Sequence, residues 1–280
     1  MKLRCLAPGK VNLCLYVGGP RADGLHPLVS VVQPVSLADE LTLEPAVGSA
    51  SADEVVCPGV EGENLAGRAL AAFREATGWD APPQRLTVRK RVPVAAGMGG
   101  GSGDAAAALR LAAHAAGGAG HSLLLELAAA LGGDVPSQVA PGRTLMTGAG
   151  EHVRPLGPPG RLALVILPSA NALSTPAVYR EFDALGAVRT PDELAQLEAR
   201  GGELPVHNDL QDAARSLCPS IDEALAAVAR TGADHVLVSG SGPTVFGLYG
   251  DPERARAAAA AVGGIAADPV GAAFGAVGEA

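Results

Sequence analysis

The chain is short of aromatics, lysine and cysteine, and each shortage excludes something. Phe, Tyr and Trp make up only 3% of its 280 residues, so the core must be built mainly from Ala, Val and Leu. The four cysteines, Cys5, Cys14, Cys57 and Cys218, form no C-x-x-C pair and share no metal spacing with the six histidines. They are too sparse for a disulfide framework and point to reduced thiols in a cytoplasmic protein. No apolar run reaches membrane-spanning length, and Lys2 and Arg4 lead into Pro8, Gly9 and Lys10 instead of the apolar stretch of a signal peptide. Positive charge is scarce as well. The formal net charge is −8, and the basic triplet at 89–91 is too short to form the stripe that a nucleic-acid partner needs. Of 21 basic residues only Lys2, Lys10 and Lys90 are lysine. A lysine in so arginine-biased a chain suggests a specific task for a compact point charge.

What the chain has in abundance is glycine, 37 residues of it, concentrated in PVAAGMGGGSGDAAAALRL at 93–111. Gly97, Gly99, Gly100, Gly101 and Gly103 allow the backbone to approach a ligand without Cβ clashes, and a helix expected from about Asp104 adds unpaired amides and a positive dipole end. Together they suit a phosphate group, although a flexible connector is the plainer reading of a glycine run. The stretch is neither G-x-x-x-x-G-K-[ST] nor a G-x-G-x-x-G opening a Rossmann unit.

At 48% hydrophobic, the chain has material for one large domain or two of ordinary size. KVNLCLYVG at 10–18 alternates as a half-buried strand, GGPRADG turns the chain, and LVSVVQPVSL and ELTLEP continue a sheet. Helices are expected over 64–77, 123–131, 175–183, 191–200, 221–230 and 252–262, and strands over 85–92, 162–168 and 235–239. The proline-dense PLGPPG at 155–160 marks a boundary between domains 1–156 and 157–280.

Three separated pieces, PGKVNLCL at 8–15, the glycine loop at 93–103 and SGSGPTVFGLY at 239–249, together resemble the GHMP kinase superfamily. RADGLHPLVSVVQPVSLADELTL at 21–43, GGDVPSQV at 132–139, STPAVYREFD at 174–183 and NDL at 208–210 are similar to its branch acting on a cytidine-diphosphate-linked methylerythritol. The resemblance implies an α+β, two-layer fold in two domains: an N-terminal half like ribosomal protein S5 domain 2, and a ferredoxin-like C-terminal half. It also implies ATP with Mg²⁺, an alcohol acceptor, and a monomer or weak homodimer with no nucleic-acid or membrane partner. Asp134 would take the hydroxyl proton and Lys10 would hold that carboxylate ionised. A helix N-cap is the other reading of Asp134, and a solvated strand end that of Lys10.

By the same resemblance Pro93, Val94, Ala95, Ala96, Gly97, Met98, Gly99, Gly100, Gly101, Ser102 and Gly103 wrap the ATP phosphates, and Asn64 lies near the adenine. Ser102 and Asn64 are also possible helix caps. No metal ligand is singled out, and where the family has Ser-Ser-Asp this chain has Ser102-Gly103-Asp104. His26 would read the cytosine edge with Tyr179 against the base, while Asn12, Thr175 and Thr244 touch the substrate. The family tyrosine beside the histidine is replaced by Leu25. The readings left open are a kinase of the superfamily for mevalonate, homoserine or a sugar, and a nucleotide-binding regulator without the reaction.

Overall fold

In the computed structural model, which describes residues 1–48 and 50–280, the chain opens with a long strand, β1 (Leu3–Val17), antiparallel to β2 (Leu28–Pro45). It starts earlier than the sequence pattern suggests and is buried on both faces from Ala7 to Val17. The reason is that it passes through three apolar clusters in turn. Leu3, Cys5 and Ala7 meet the helices of the first half. Val11 and Leu13 meet Leu164 and Phe246 of a second sheet, and Leu15 and Val17 meet Val178 and Phe182. The pairing of β1 with β2 slips between Pro8 and Lys10 and again between Asn12 and Cys14. Proline brings no N–H to a ladder, and such bulges re-aim the side chains between them, here Lys10 and Asn12.

The first sheet continues through β3 (Glu54–Val56), β4 (Gln84–Arg89), β5 (Thr144–Thr147) and β6 (His152–Pro155). Helices α1 (Leu65–Thr77), α2 (Gly100–Ala115), α3 (His121–Leu131) and the short α4 (Val135–Val139) accompany it. Ala105 to Ala108, Leu109 and Leu111 are all buried in α2, which packs against β1, α1 and α4. Small side chains on every side let neighbours approach closely, which is how a core poor in aromatics is filled. Phe73 of α1 is fully buried in this cluster. Phe73→Ala is expected to remove about 3–5 kcal/mol of stability, read from urea unfolding midpoints at unchanged slope.

The second sheet has the order β11-β7-β10-β9, each neighbour antiparallel, from β7 (Ala163–Leu167), β9 (His235–Val238), β10 (Val245–Tyr249) and β11 (Ile265–Ala267). Helices α5 (Thr175–Leu185), α6 (Pro191–Ala199), α7 (Gln211–Leu217) and α8 (Ser220–Ala229) lie between β7 and β9, and α9 (Pro252–Val262) between β10 and β11. Apart from the extra helices this is the strand, helix, strand, strand, helix, strand order of a ferredoxin-like half. No regular element covers 156–162. Even so, two short downstream strands, β8 (His207–Asn208) and β12 (Gly278–Glu279), return to pair with β1. Among the described residues no helix is long and apolar enough to cross a membrane.

Two sequence expectations are corrected. Helix α2 begins at Gly100, not near Asp104. Glycine is a poor helix former, but an added Cβ at Gly103 would stand 3.0 Å from the Pro8 carbonyl, so packing against β1 decides. The strand expected over 85–92 stops at Arg89. Beyond it the amides of Arg91 and Val92 donate to the Asp39 carboxylate instead of a ladder partner.

Candidate active site

The glycine stretch is part loop and part helix. Gly99, in the left-handed conformation at φ 64°, is the N-cap of α2 and supplies no side-chain cap. Ser102 therefore lies in the first turn and is not the cap. The Gly103 N–H reaches the Gly99 carbonyl at 2.8 Å, which leaves the amides of 100–102 without an intrahelical acceptor. Residues 93–102 line a cavity of about 450 Å³, so an anion entering it meets these amides and the positive end of the helix. Gly103 is not part of the wall. The loop is also docked onto the second glycine turn. Gly97 has φ +73°, and a Cβ there would sit 2.3 Å from the Ser239 carbonyl oxygen, while Ser239 Oγ donates to the Gly97 carbonyl at 3.0 Å.

Lys10 and Asp134 meet at this cavity. Lys10 Nζ lies 3.1 Å from Asp134 Oδ2, the lysine side chain almost wholly buried and the carboxylate about a third exposed. Asp134 holds the N-cap position of α4 but makes no side-chain cap bond, so its carboxylate is turned to the lysine instead. Lys10 Nζ also donates to Asn12 Oδ1 at 2.8 Å and to the Gly97 carbonyl at 3.3 Å. Asn12 Nδ2 in turn donates to Ser30 Oγ at 2.8 Å, and Ser30 Oγ donates to the Cys14 carbonyl at 2.6 Å. Because the serine proton is committed to a carbonyl, its lone pair can only accept from Asn12. That fixes the amide with its oxygen toward the lysine.

A second lysine, Lys90, bridges two buried carboxylates, Asp39 Oδ2 at 2.5 Å and Asp104 Oδ2 at 2.7 Å. Burial pushes the Lys90 ammonium down, but Asp104 and Asp39 together outweigh it and the net shift is upward. Burial, opposed by Lys90 and assisted by Asp39, pushes the Asp104 carboxyl from 3.8 to about 7. A carboxyl raised in this way binds its proton more tightly folded than unfolded. Its contribution therefore favours folding at low pH and is lost as pH climbs from about 4 towards 7. Asp104→Asn is expected to flatten the pH dependence of stability across that window. An unchanged slope of urea midpoint against pH would count against it.

A neighbouring cavity of about 440 Å³ is lined by His26, Leu25 and Asp183, and shares Leu28, Thr175 and Tyr179 with the first. Tyr179 is pushed up by burial and then by the charge of Asp134, which places the phenol within electrostatic reach of the carboxylate. Thr175 Oγ1 pairs with Ser241 Oγ at 2.9 Å. Asn64 both caps α1, accepting from Ala66 N at 2.9 Å, and lines the first cavity. Thr244, expected to touch the substrate, lines neither cavity. Its carbonyl closes the turn onto the Ser239 N–H, and its side chain is buried away from both cavities with Oγ1 unpartnered. Ser241 reaches the first cavity in its stead. Sequence reasoning passes over Ser30, Asp39 and Asp183. The rarity of lysine is a signal for Lys90, and the Ser-Gly-Asp departure is one for Asp104.

Comparison with known proteins follows the geometry. The GHMP kinases N terminal domain matches residues 64–142 and the GHMP kinases C terminal domain residues 182–266. A 4-diphosphocytidyl-2-C-methyl-D-erythritol kinase of Streptomyces coelicolor is 43% identical over 274 residues, spanning 91% of this chain and 90% of its own. One of Kineococcus radiotolerans is 43% identical over 275 residues, spanning 89% and 82%. The crystal structure of a 4-(cytidine 5'-diphospho)-2C-methyl-D-erythritol kinase, 38% identical, superimposes with a TM-score of 0.77 over 96% of this chain and 99% of the other. A homoserine kinase of Cytophaga hutchinsonii, at 17% identity and TM-score 0.65, covers 99% of this chain and 97% of its own, and shares the fold.

Proposed function

Since the chain belongs to the GHMP kinases, and within them to the 4-diphosphocytidyl-2-C-methyl-D-erythritol kinases, we propose that it transfers the γ-phosphoryl group of ATP to the 2-hydroxyl of that cytidylyl alcohol, a step in the non-mevalonate route to isoprenoids. The observation that carries the reading is the Lys10 and Asp134 pair, 3.1 Å apart on the wall of the cavity that the glycine loop lines. Asp134 accepts the proton of the hydroxyl as its oxygen attacks phosphorus in line. Lys10, 3.1 Å from that carboxylate, offsets charge on the entering oxygen. The amides of the loop and of the first turn of α2 hold the polyphosphate. Positioning and fixed electrostatics account for the acceleration, and no covalent enzyme intermediate is required.

Among the described residues no cluster of three or more His, Cys, Asp or Glu is placed to hold a metal. Mg²⁺ would arrive with ATP, and the Ser102 hydroxyl, on the cavity wall in the first turn of α2, would be its protein contact. Such an ion would neutralise polyphosphate charge. We further read residues 1–156 and 157–280 as two domains of a cytoplasmic monomer or weak homodimer.

The test is ADP release from ATP and Mg²⁺ with a panel of alcohols. Turnover is expected with the cytidylyl methylerythritol and not with mevalonate, homoserine or a hexose. Turnover with one of those, or with none of the panel, would overturn the proposal.

A further inference from the structure

The imidazole of His26 comes from the turn between β1 and β2 and is gripped by one face of α5. Tyr179, Phe182 and Asp183, spaced i, i+3 and i+4, lie together on that face. The Tyr179 ring lies against the imidazole at 4.8 Å between centroids, Phe182 meets it edge-on at 6.4 Å, and Asp183 Oδ1 is 2.9 Å from Nε2. Only 8% of the histidine side chain is exposed. Among the described residues Nδ1 has no hydrogen-bond partner, yet it is absent from the fully enclosed unpaired atoms. It is the unpartnered polar atom of a ring that lines the 440 Å³ cavity.

We propose that Asp183 is a positioning residue that sets which base the enzyme accepts, by fixing the tautomer of His26. The inference rests on the reading of this cavity as the site of the cytidylyl group. An ionised carboxylate only accepts, so the proton of the neutral ring is held on Nε2 and Nδ1 is left as a bare acceptor. Cytosine presents a 4-amino donor at its pairing edge, whereas uracil presents a 4-oxo acceptor. A bare nitrogen therefore pairs with the first and sets lone pair against lone pair with the second. Without the aspartate the proton is free to move to Nδ1, which then favours the oxo group. The second half of the chain thereby selects the base through a residue that need not touch it.

The experiment compares kcat/KM for the cytidylyl methylerythritol and its uridylyl counterpart at pH 8, in the wild type and in Asp183→Asn, with the KM for ATP as control. Asp183 is a half-exposed helical position, and asparagine keeps its shape while being able to accept or donate. The wild type is expected to prefer the cytidylyl compound. In Asp183→Asn that preference should fall by roughly tenfold or more, the effect of one well-formed hydrogen bond, while the KM for ATP stays put. Nitrogen-15 NMR of the free enzyme should show the His26 proton on Nε2 in the wild type and a mixed tautomer in the variant. A wild type that discriminates and a variant that discriminates equally would overturn the role of Asp183 alone, as would a wild-type ring protonated on Nδ1. A wild type indifferent to the base would remove the base-reading cavity and this proposal with it.

Discussion

Asp134→Asn is expected to lower kcat by about 10²–10⁴-fold and to leave ATP binding nearly unchanged. The amide cannot take the hydroxyl proton. The polyphosphate is held elsewhere, by main-chain groups of 93–102 and the first turn of α2. The helix should survive, because Asp134 makes no side-chain cap bond at the start of α4. The loss should accordingly appear mainly in turnover, with a smaller fall in the unfolding midpoint because the buried Lys10 ammonium loses its counter-charge. Single-turnover phosphorylation with saturating ATP, alongside nucleotide titration by calorimetry, separates the two quantities. Turnover near that of the wild type would remove Asp134 as the base.

Gly97→Ala is the second large effect, and it strikes ATP binding. The position has φ +73°, where a non-glycine residue is strained by roughly 1–3 kcal/mol. The added methyl would also fall 2.3 Å from the Ser239 carbonyl oxygen and 2.8 Å from that of Gly242. Both are backbone atoms with no rotamer to yield, so the loop must lift off the 239–242 turn. That breaks the Ser239 to Gly97 bond and moves the carbonyl that Lys10 contacts. The KM for ATP should rise at least about tenfold, equivalent to ~1.4 kcal/mol of binding, with a fall in melting temperature. Gly271→Ala, outside the cavity and at a φ of −118° that any residue adopts, is the control. Nothing lies within 4 Å of a Cβ built there, so both quantities should stay close to wild type. Equal behaviour of the two variants would show that the close approach at Gly97 is unimportant.

Much of this architecture is legible in the sequence because local pattern and tertiary role agree. The periodicity over 64–77 and 252–262 is that of α1 and α9, and the ordered glycine motifs lead to the family that the relatives share. The pattern misleads where long-range packing overrules it. A strand that alternates in sequence is buried throughout because α2 covers one part of it and the second sheet another. A helix carries glycine in its first turns because β1 leaves no room for a side chain at Gly103. Within the site, Lys10 and Asp134 can be singled out since they sit in recognisable motifs. Ser30 is one of three hydroxyls in a valine-rich strand, and its part emerges only when Asn12 is seen against it. Asp39 and Asp104 look like ordinary surface acids until Lys90 is found between them. Asp183 reads as the polar side of an amphipathic helix until a ring from the far end of the chain is set against it.

The three oxygens around the Lys10 ammonium have a consequence for the order of events in a catalytic cycle. Two of its hydrogens are donated to Asn12 and to the Gly97 carbonyl, and Asp134 stands beside it as an ion pair. An arriving phosphoryl oxygen competes with these oxygens for the ammonium, and the Gly97 carbonyl, at 3.3 Å, holds least firmly. Occupation by nucleotide is thus an exchange of partners that releases the latch on the loop as the triphosphate settles into it. The Asp134 carboxylate remains beside the ammonium through that exchange.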